Sequence, residues 1–285
     1  MYIEIEGLRI GGREQPLIIT DYDSPDHSVE SSDVSITGRA GIYPGRDRRL
    51  ERSHIFHIRT GGGVKNLAAA QELADELTRV WAKGTSLKPG QTMPLTIETT
   101  RRRRIFGRPR RITTITPDVR AKQGSVELML EFLQVDPVAY GDVDESFSIS
   151  VLPEPQGGIK TPLIAPIKTV SWGGSGYRFV TNSGDTNSSM AVKFYGPCAN
   201  PSLEVNGQEV ALKTTLAYDD VVTVDGRTGT VTNRSGANVS RFLTARTRLD
   251  ALRLEPGTHE VRFRAEDTTF TARAEISYAN AYNNF

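Results

Sequence analysis

The sequence predicts a mainly β protein in two parts. The first is an N-terminal β-barrel or sandwich flanked by one α-helix. The second is an antiparallel β-sandwich. Two observations predict this. Helical periodicity occurs once in 285 residues, over Asn66–Lys83. Beyond about residue 145, short alternating segments recur between explicit turn residues, the pattern of a sandwich. The composition, 37% hydrophobic and 24% charged, is that of an ordinary, slightly polar globular chain.

In chain order, Met1–Ile10 alternates apolar and charged residues and predicts a strand, turned by Gly11-Gly12. Pro16–Asp21 predicts a short strand, and Asp21–Ser32, rich in Asp, Ser and Pro, a loop. Val34–Ile36, Gly41–Tyr43 and Arg52–Arg59 read as further strand pieces. The helix follows. Leu67, Ala70, Leu73, Ala74, Leu77, Val80 and Trp81 form one stripe at steps of three and four, which predicts packing on a sheet. Asn66 suits the N-cap, and Gly84 a left-handed C-cap. Pro94–Ile105 and Arg111–Thr116 read as the arms of a hairpin with Phe106-Gly107-Arg108-Pro109 at its tip. Ser125–Gln134 is a strand with Val126, Leu128, Leu130 and Phe132 inward. The boundary is set near residue 145, giving domains 1–145 and 146–285.

In the second part, strands are expected at Phe147–Leu152, Tyr177–Thr181, Met190–Tyr195, Ser202–Val205, Glu209–Leu212, Val221–Val224, Gly229–Thr232, Thr258–Arg264 and Thr269–Tyr278. Asn206-Gly207, Asp225-Gly226 and Pro256-Gly257 mark turns. Phe270, Ala272, Ala274, Ile276 and Tyr278 should share one face of the last strand. Residues 157–175 carry no clear period.

Functional classes narrow quickly. No window approaches the ~18 apolar residues of a membrane helix, and MYIEIEGLRI lacks the apolar run of a signal peptide. A single cysteine, Cys198, allows no internal disulfide and no multi-cysteine metal site. His54 and His57, three apart on a strand, point to opposite faces, so surface or half-buried histidines are expected rather than metal ligands. Gly61-Gly62-Gly63 lacks the Lys-Ser/Thr of a phosphate loop. No paired acid and base, nucleophile motif or metal cluster is legible; the expectation is no enzyme, no catalytic residue, no metal and no cofactor.

Ordered segments in the second part resemble the distal tail proteins of siphophages. They are Gly196-Pro197-Cys198-Ala199-Asn200-Pro201 with Leu203 and Val205; Leu216–Asp225; Thr230-Val231-Thr232-Asn233-Arg234; and Leu252–Phe263. Phe132–Gly141 extends the resemblance more loosely into the first part. Tyr218-Asp219 stands where that family commonly has a glycine before the aspartate, so this turn departs from the pattern. The resemblance implies a tail-tube-like N-terminal domain and a galectin-like or jelly-roll-like C-terminal sandwich. It implies a six-fold ring at the distal end of the tail tube, joining tube to baseplate and leaving a channel for DNA. The implied partners are other copies of the chain, the tail tube protein, tail hub and tail-tip proteins and a receptor-binding protein, with DNA only in transit and no membrane anchor. The implied location is the virion tail tip, after synthesis in the host cytoplasm. The alternative function is a carbohydrate-binding sandwich for host-surface attachment, with Trp172, Tyr177 and Phe179 as the sugar platform.

One segment stands apart. Arg101–Arg111 holds seven arginines (Arg101, Arg102, Arg103, Arg104, Arg108, Arg110 and Arg111) and no acid. The whole chain is only +1, so the remainder is net acidic. A solvated charged loop and a phosphate-binding site are two readings of such a run. The favoured third is a contact with an acidic surface on a neighbouring subunit or adjoining ring, since the arginine fork pairs carboxylates bidentately.

Overall fold

A computed structural model describes residues 1–25, 29–38, 40–61, 64, 66–116, 122–151, 176–267 and 269–284. The chain is mainly β with one α-helix among these residues. It divides into two compact units, Met1–Asp142 with residues 283 and 284, and Val143–Tyr282. Strands of two residues are left unlabelled below.

The first unit contains β1 (Tyr2–Ile5), β2 (Leu8–Gly11), β3 (Leu17–Asp23), β4 (Arg52–Thr60), α1 (Leu67–Ala82), β5 (Met93–Glu98), β6 (Arg102–Thr114), β7 (Glu127–Gln134) and β8 (Ala139–Gly141). An antiparallel sheet runs in the order β2-β1-β5-β6-β7-β4-β3, and β8 pairs with the start of β6. Strict alternation along β4 and β7 puts Phe56, Ile58, Leu128, Leu130 and Phe132 into one core with Ile3, Ile5, Leu95 and Ile97. On this core lies α1, through Ala70, Ala74, Leu77 and Trp81. Trp81 meets Phe132 edge-on at 6.2 Å, and its Nε1–H donates to the Arg111 carbonyl at 3.1 Å. Asn66 caps the helix, its Oδ1 accepting from the Ala69 N–H at 2.8 Å. Near the chain's end, buried Arg52 donates to the Asn283 carbonyl at 3.4 Å.

Four local expectations are corrected. The first ten residues form not one strand but a hairpin, turned at Glu6-Gly7, where both φ angles are positive (50° and 81°). Gly84 is no left-handed cap. The helix runs on as a 3-10 turn, and Gly84 is small because a Cβ there would sit 2.8 Å from Pro109. The arginine-rich hairpin turns at Thr99–Arg101, not at Phe106–Pro109. Gly107 and Pro109, read as turn residues, lie inside β6: a Cβ on Gly107 would meet the Leu133 carbonyl oxygen at 2.0 Å, and Pro109 borders a register shift before Ile112. Lastly, His54 is fully buried rather than superficial.

The second unit contains β9 (Glu145–Ser150), β10 (Gly176–Asn182), β11 (Ser188–Tyr195), β12 (Cys198–Val205), β13 (Gln208–Ala211), β14 (Val221–Asp225), β15 (Thr230–Asn233), β16 (Gly257–Glu266) and β17 (Arg273–Tyr278). One antiparallel sheet is ordered β9-β17-β11-β14-β15 and the other β10-β16-β12-β13. Their inward faces share one core, in which Phe194 of the first sheet stacks on Phe263 of the second at 6.0 Å. Asn206-Gly207 makes the expected tight turn, with φ of 52° and 73°. Asp225-Gly226 does not; that loop closes on Gly229, at φ 66°, while Asp225 Oδ1 accepts from the Arg227 and Thr228 N–H groups. The last strand starts at Arg273 rather than Thr269. The Asp267 carboxylate takes the N–H groups of Thr269, Thr271 and Ala272 and folds that stretch into a loop. Phe270 therefore leaves the inward row and stands 57% exposed.

Candidate interaction surfaces

The arginine-rich segment is extended, so its ends lie far apart. Ten residues of strand separate Arg101 from Arg111 by roughly 30 Å. The seven cations are spread accordingly and do not form one patch. Arg102 spans two acids of its own unit, reaching Glu4 Oε2 at 3.0 Å and Asp142 Oδ2 at 3.0 Å. Arg104 lies over the Phe106 ring at 5.4 Å, and Phe106 meets Tyr140 edge-on at 5.5 Å. Arg108 donates to the carbonyls of Gln91 and Lys88, tying β6 to the loop before β5. Arg111 donates to Thr113 Oγ1 at 3.0 Å. Arg103, half-buried, is held in the middle of the sheet between Ile97 and Gly141. Arg101 and Arg110 are exposed and, among the described residues, make no side-chain hydrogen bond or ion pair.

A second surface was not singled out in the sequence. Between β3 and β4 the chain forms an arm of two short ladders, Val29–Glu30 with Arg48–Arg49 and Val34–Ser35 with Ile42–Tyr43. Every described residue of both ladders is exposed, including Val34 (61%), Ile42 (61%) and Tyr43 (69%). Asp33 Oδ1 accepts from the Gly45 N–H at 2.7 Å, which fixes the bend and lowers the Asp33 pKa. A legible signal was there. Single apolar residues stand among Ser, Asp, Gly and Arg, a pattern that alternates yet has too little apolar area to bury itself.

Of the expected sugar platform, Tyr177 and Phe179 project from β10 with rings edge-on at 6.0 Å, exposed by 57% and 63%. Trp172 lies outside the described residues. His54 and His57 do not converge: His54 is enclosed by Tyr22, Phe56 and Gln134, while His57 faces out, 3.8 Å from Asp23. Burial pushes the His54 pKa down to about 4, against the opposing hydrogen bond that its Nε2–H donates to Gln134 Oε1. Burial also pushes the Cys198 thiol up to about 11, with Asp267 adding to the effect. Among the described residues no three His, Cys, Asp or Glu side chains could hold a metal ion.

No family model matches the chain, and no curated protein matches it in sequence. Its fold does have solved counterparts. The Dit protein of phage SPP1, described as a paradigm of the hub adsorption apparatus in phages infecting Gram-positive bacteria, is similar with a TM-score of 0.59. It is 12% identical, over 98% of each chain. A chain of the phage p2 baseplate in its activated conformation with strontium is similar at 0.57, with 10% identity over 100% of this chain and 98% of that one. One from the calcium-bound form gives 0.54, with 11% identity over 100% and 99%. The fold is shared from end to end, through both units in the same order.

Proposed function

We propose that the chain is a structural component of a phage tail tip, a distal tail protein that forms a ring joining the tail tube to the baseplate. The observation that carries this reading is the likeness over the full length of both chains to a hub protein and to baseplate subunits. Matching one sandwich would mean little, since sandwiches serve many functions. Matching two differently built units in order is more specific. In this reading six copies close a ring, residues 1–145 face a channel through which DNA passes, and residues 146–285 lie outside. The partners are the tail tube protein, tail hub and tail-tip proteins and a receptor-binding protein, and the protein resides in the virion tail tip.

Physical features support assembly. The exposed Val34, Ile42 and Tyr43 of the arm are apolar area that a neighbouring copy would remove from water. Arg101 and Arg110 are cations left over for an acidic neighbour. Electron microscopy of the purified full chain should show six-fold rings, and antibody labelling should place it at the tail tip. A protein that stays monomeric at high concentration and is absent from virions overturns the reading. Within it, Arg101→Ser with Arg110→Ser should leave the melting temperature unchanged but weaken ring or tail assembly, more so at high salt. Arg102→Ser should instead lower the stability of the monomer, by about 1 kcal/mol, because its partners are internal and the pair is a third exposed. Normal assembly with lost retention of duplex DNA in the double variant would assign those cations to nucleic acid.

A further inference from the structure

On the outward face of the sheet β9-β17-β11-β14-β15 lies a cavity of about 660 Å³, within the size range of ligand sites. Its floor is a set of cross-strand rungs. Arg273, Tyr195 and Val221 are directly opposed on β17, β11 and β14, and Glu275, Lys193 and Thr223 form the next rung. Asn233 and Arg234 close one side; Tyr218, Asp219 and Thr271 line the rest. The second-rung carboxylate organises the floor. Glu275 accepts from Tyr195 Oη at 2.9 Å and from Lys193 Nζ at 3.2 Å, and the Arg273 guanidinium lies over the Tyr195 ring at 4.5 Å. At the rim, Tyr218 is 77% exposed. Phe270, adjacent to the lining Thr271, is exposed at φ 59°, a conformation that bulky residues avoid, and the Asp267 loop holds it there.

The geometry points to a binding groove for an anionic saccharide, a sugar chain bearing carboxylate or phosphate groups. Three features select this class. Exposed aromatic side chains beside the groove offer faces on which the C–H side of a sugar ring can pack. The lining offers the hydroxyls of Thr223 and Thr271, the Asn233 amide N–H groups and the lone pairs of Tyr195 Oη, suited to sugar hydroxyl groups. With Lys193 and Glu275 paired to each other, Arg234 and Arg273 outnumber the lining acid Asp219, so the balance favours negative charge in the ligand. A protein partner fits less well, because among the described residues of this face no large aliphatic side chain is exposed to fill a dry interface core. The inference rests on the second unit alone and is independent of whether the chain forms a ring. This groove is distinct from the pair Tyr177 and Phe179, which sit on the other sheet.

The test uses the full chain in calorimetric titrations with oligogalacturonate, a phosphomannan oligosaccharide, maltohexaose and inorganic phosphate. At least one of the two anionic saccharides should bind and weaken with salt, and maltohexaose should bind far less. Tyr218→Ala and Arg273→Ala, both at exposed positions, should each weaken binding about ten-fold. Tyr177→Ala should leave it unchanged. Equal binding of maltohexaose overturns the charge class. Loss of binding in Tyr177→Ala alone overturns the location. Binding of inorganic phosphate without any saccharide overturns the inference as an anion contact only. Failure of all saccharides while Tyr218→Ala blocks incorporation into tails assigns the face to a protein instead.

Discussion

His54 gives the first unit a pH dependence that can be calculated and removed. The imidazole is fully buried, stacked with Phe56 at 6.3 Å and Tyr22 at 6.1 Å, with its ring nitrogens 2.9 Å from Tyr22 Oη and 2.9 Å from Gln134 Oε1. Burial depresses its pKa from 6.5 to about 4, and the positive charge of Arg52 works in the same direction. Between those values the unfolded chain holds a proton on His54 that the folded chain lacks. Stability contributed by the neutral ring is therefore complete above pH 6.5 and declines as pH falls toward 4. A shift of this size corresponds to about 3 kcal/mol. Urea unfolding between pH 7.5 and 4, followed by tryptophan fluorescence, measures it. The chain's two tryptophans are Trp81 and Trp172, so a Trp172→Phe background leaves Trp81, packed in the same core, as the reporter. His54→Gln should lower stability at pH 7.5, since the hydrogen bond between Tyr22 and His54 is lost, yet flatten the acid slope by about 3 kcal/mol relative to wild type. The difference between the two slopes cancels the carboxylates that titrate in the same range. Parallel slopes, or a His54 ring that titrates near 6.5 by NMR, would refute the reasoning.

Two further outcomes follow from packing. Gly107→Ala should destabilise the first unit by about 3 kcal/mol, because the new Cβ meets backbone in a paired strand, whereas Gly7→Ala, with only its φ of 81° against it and open space around, should lose about 1 kcal/mol; chemical denaturation that ranks them the other way contradicts this account. Cys198, 5% exposed and raised to about 11, should resist thiol reagents at pH 8 and label only at the rate of unfolding, which a time course with and without urea will show.

The parts of the fold legible in sequence are those decided within a few residues. The helix stripe from Leu67 to Trp81, its Asn66 cap, the alternation of β7 and the Asn206-Gly207 turn all rest on local periodicity or local φ preference. The misreadings share another cause. Gly107, Pro109 and Gly84 look like turn residues, but their roles come from partners brought close by the sheet, Leu133 for one and each other for the remaining two. Nothing near His54 in sequence announces Tyr22 and Gln134, which lie 32 and 80 residues away. The arginine run was conspicuous, but its chemistry is divided by strand geometry and by acids at Glu4 and Asp142. The groove around Tyr195 was invisible because its residues are gathered from strands and loops between residues 193 and 273.

The bond from Arg52 to Asn283 bears on the order in which this protein is made. A ribosome delivers β4 early, and its guanidinium is buried once the sheet closes. The carbonyl that receives it at 3.4 Å arrives 231 residues later, after the whole second unit has been synthesised. Until then the nascent first unit lacks one acceptor for a buried cation. The first unit therefore gains this hydrogen bond only after the second has been synthesised.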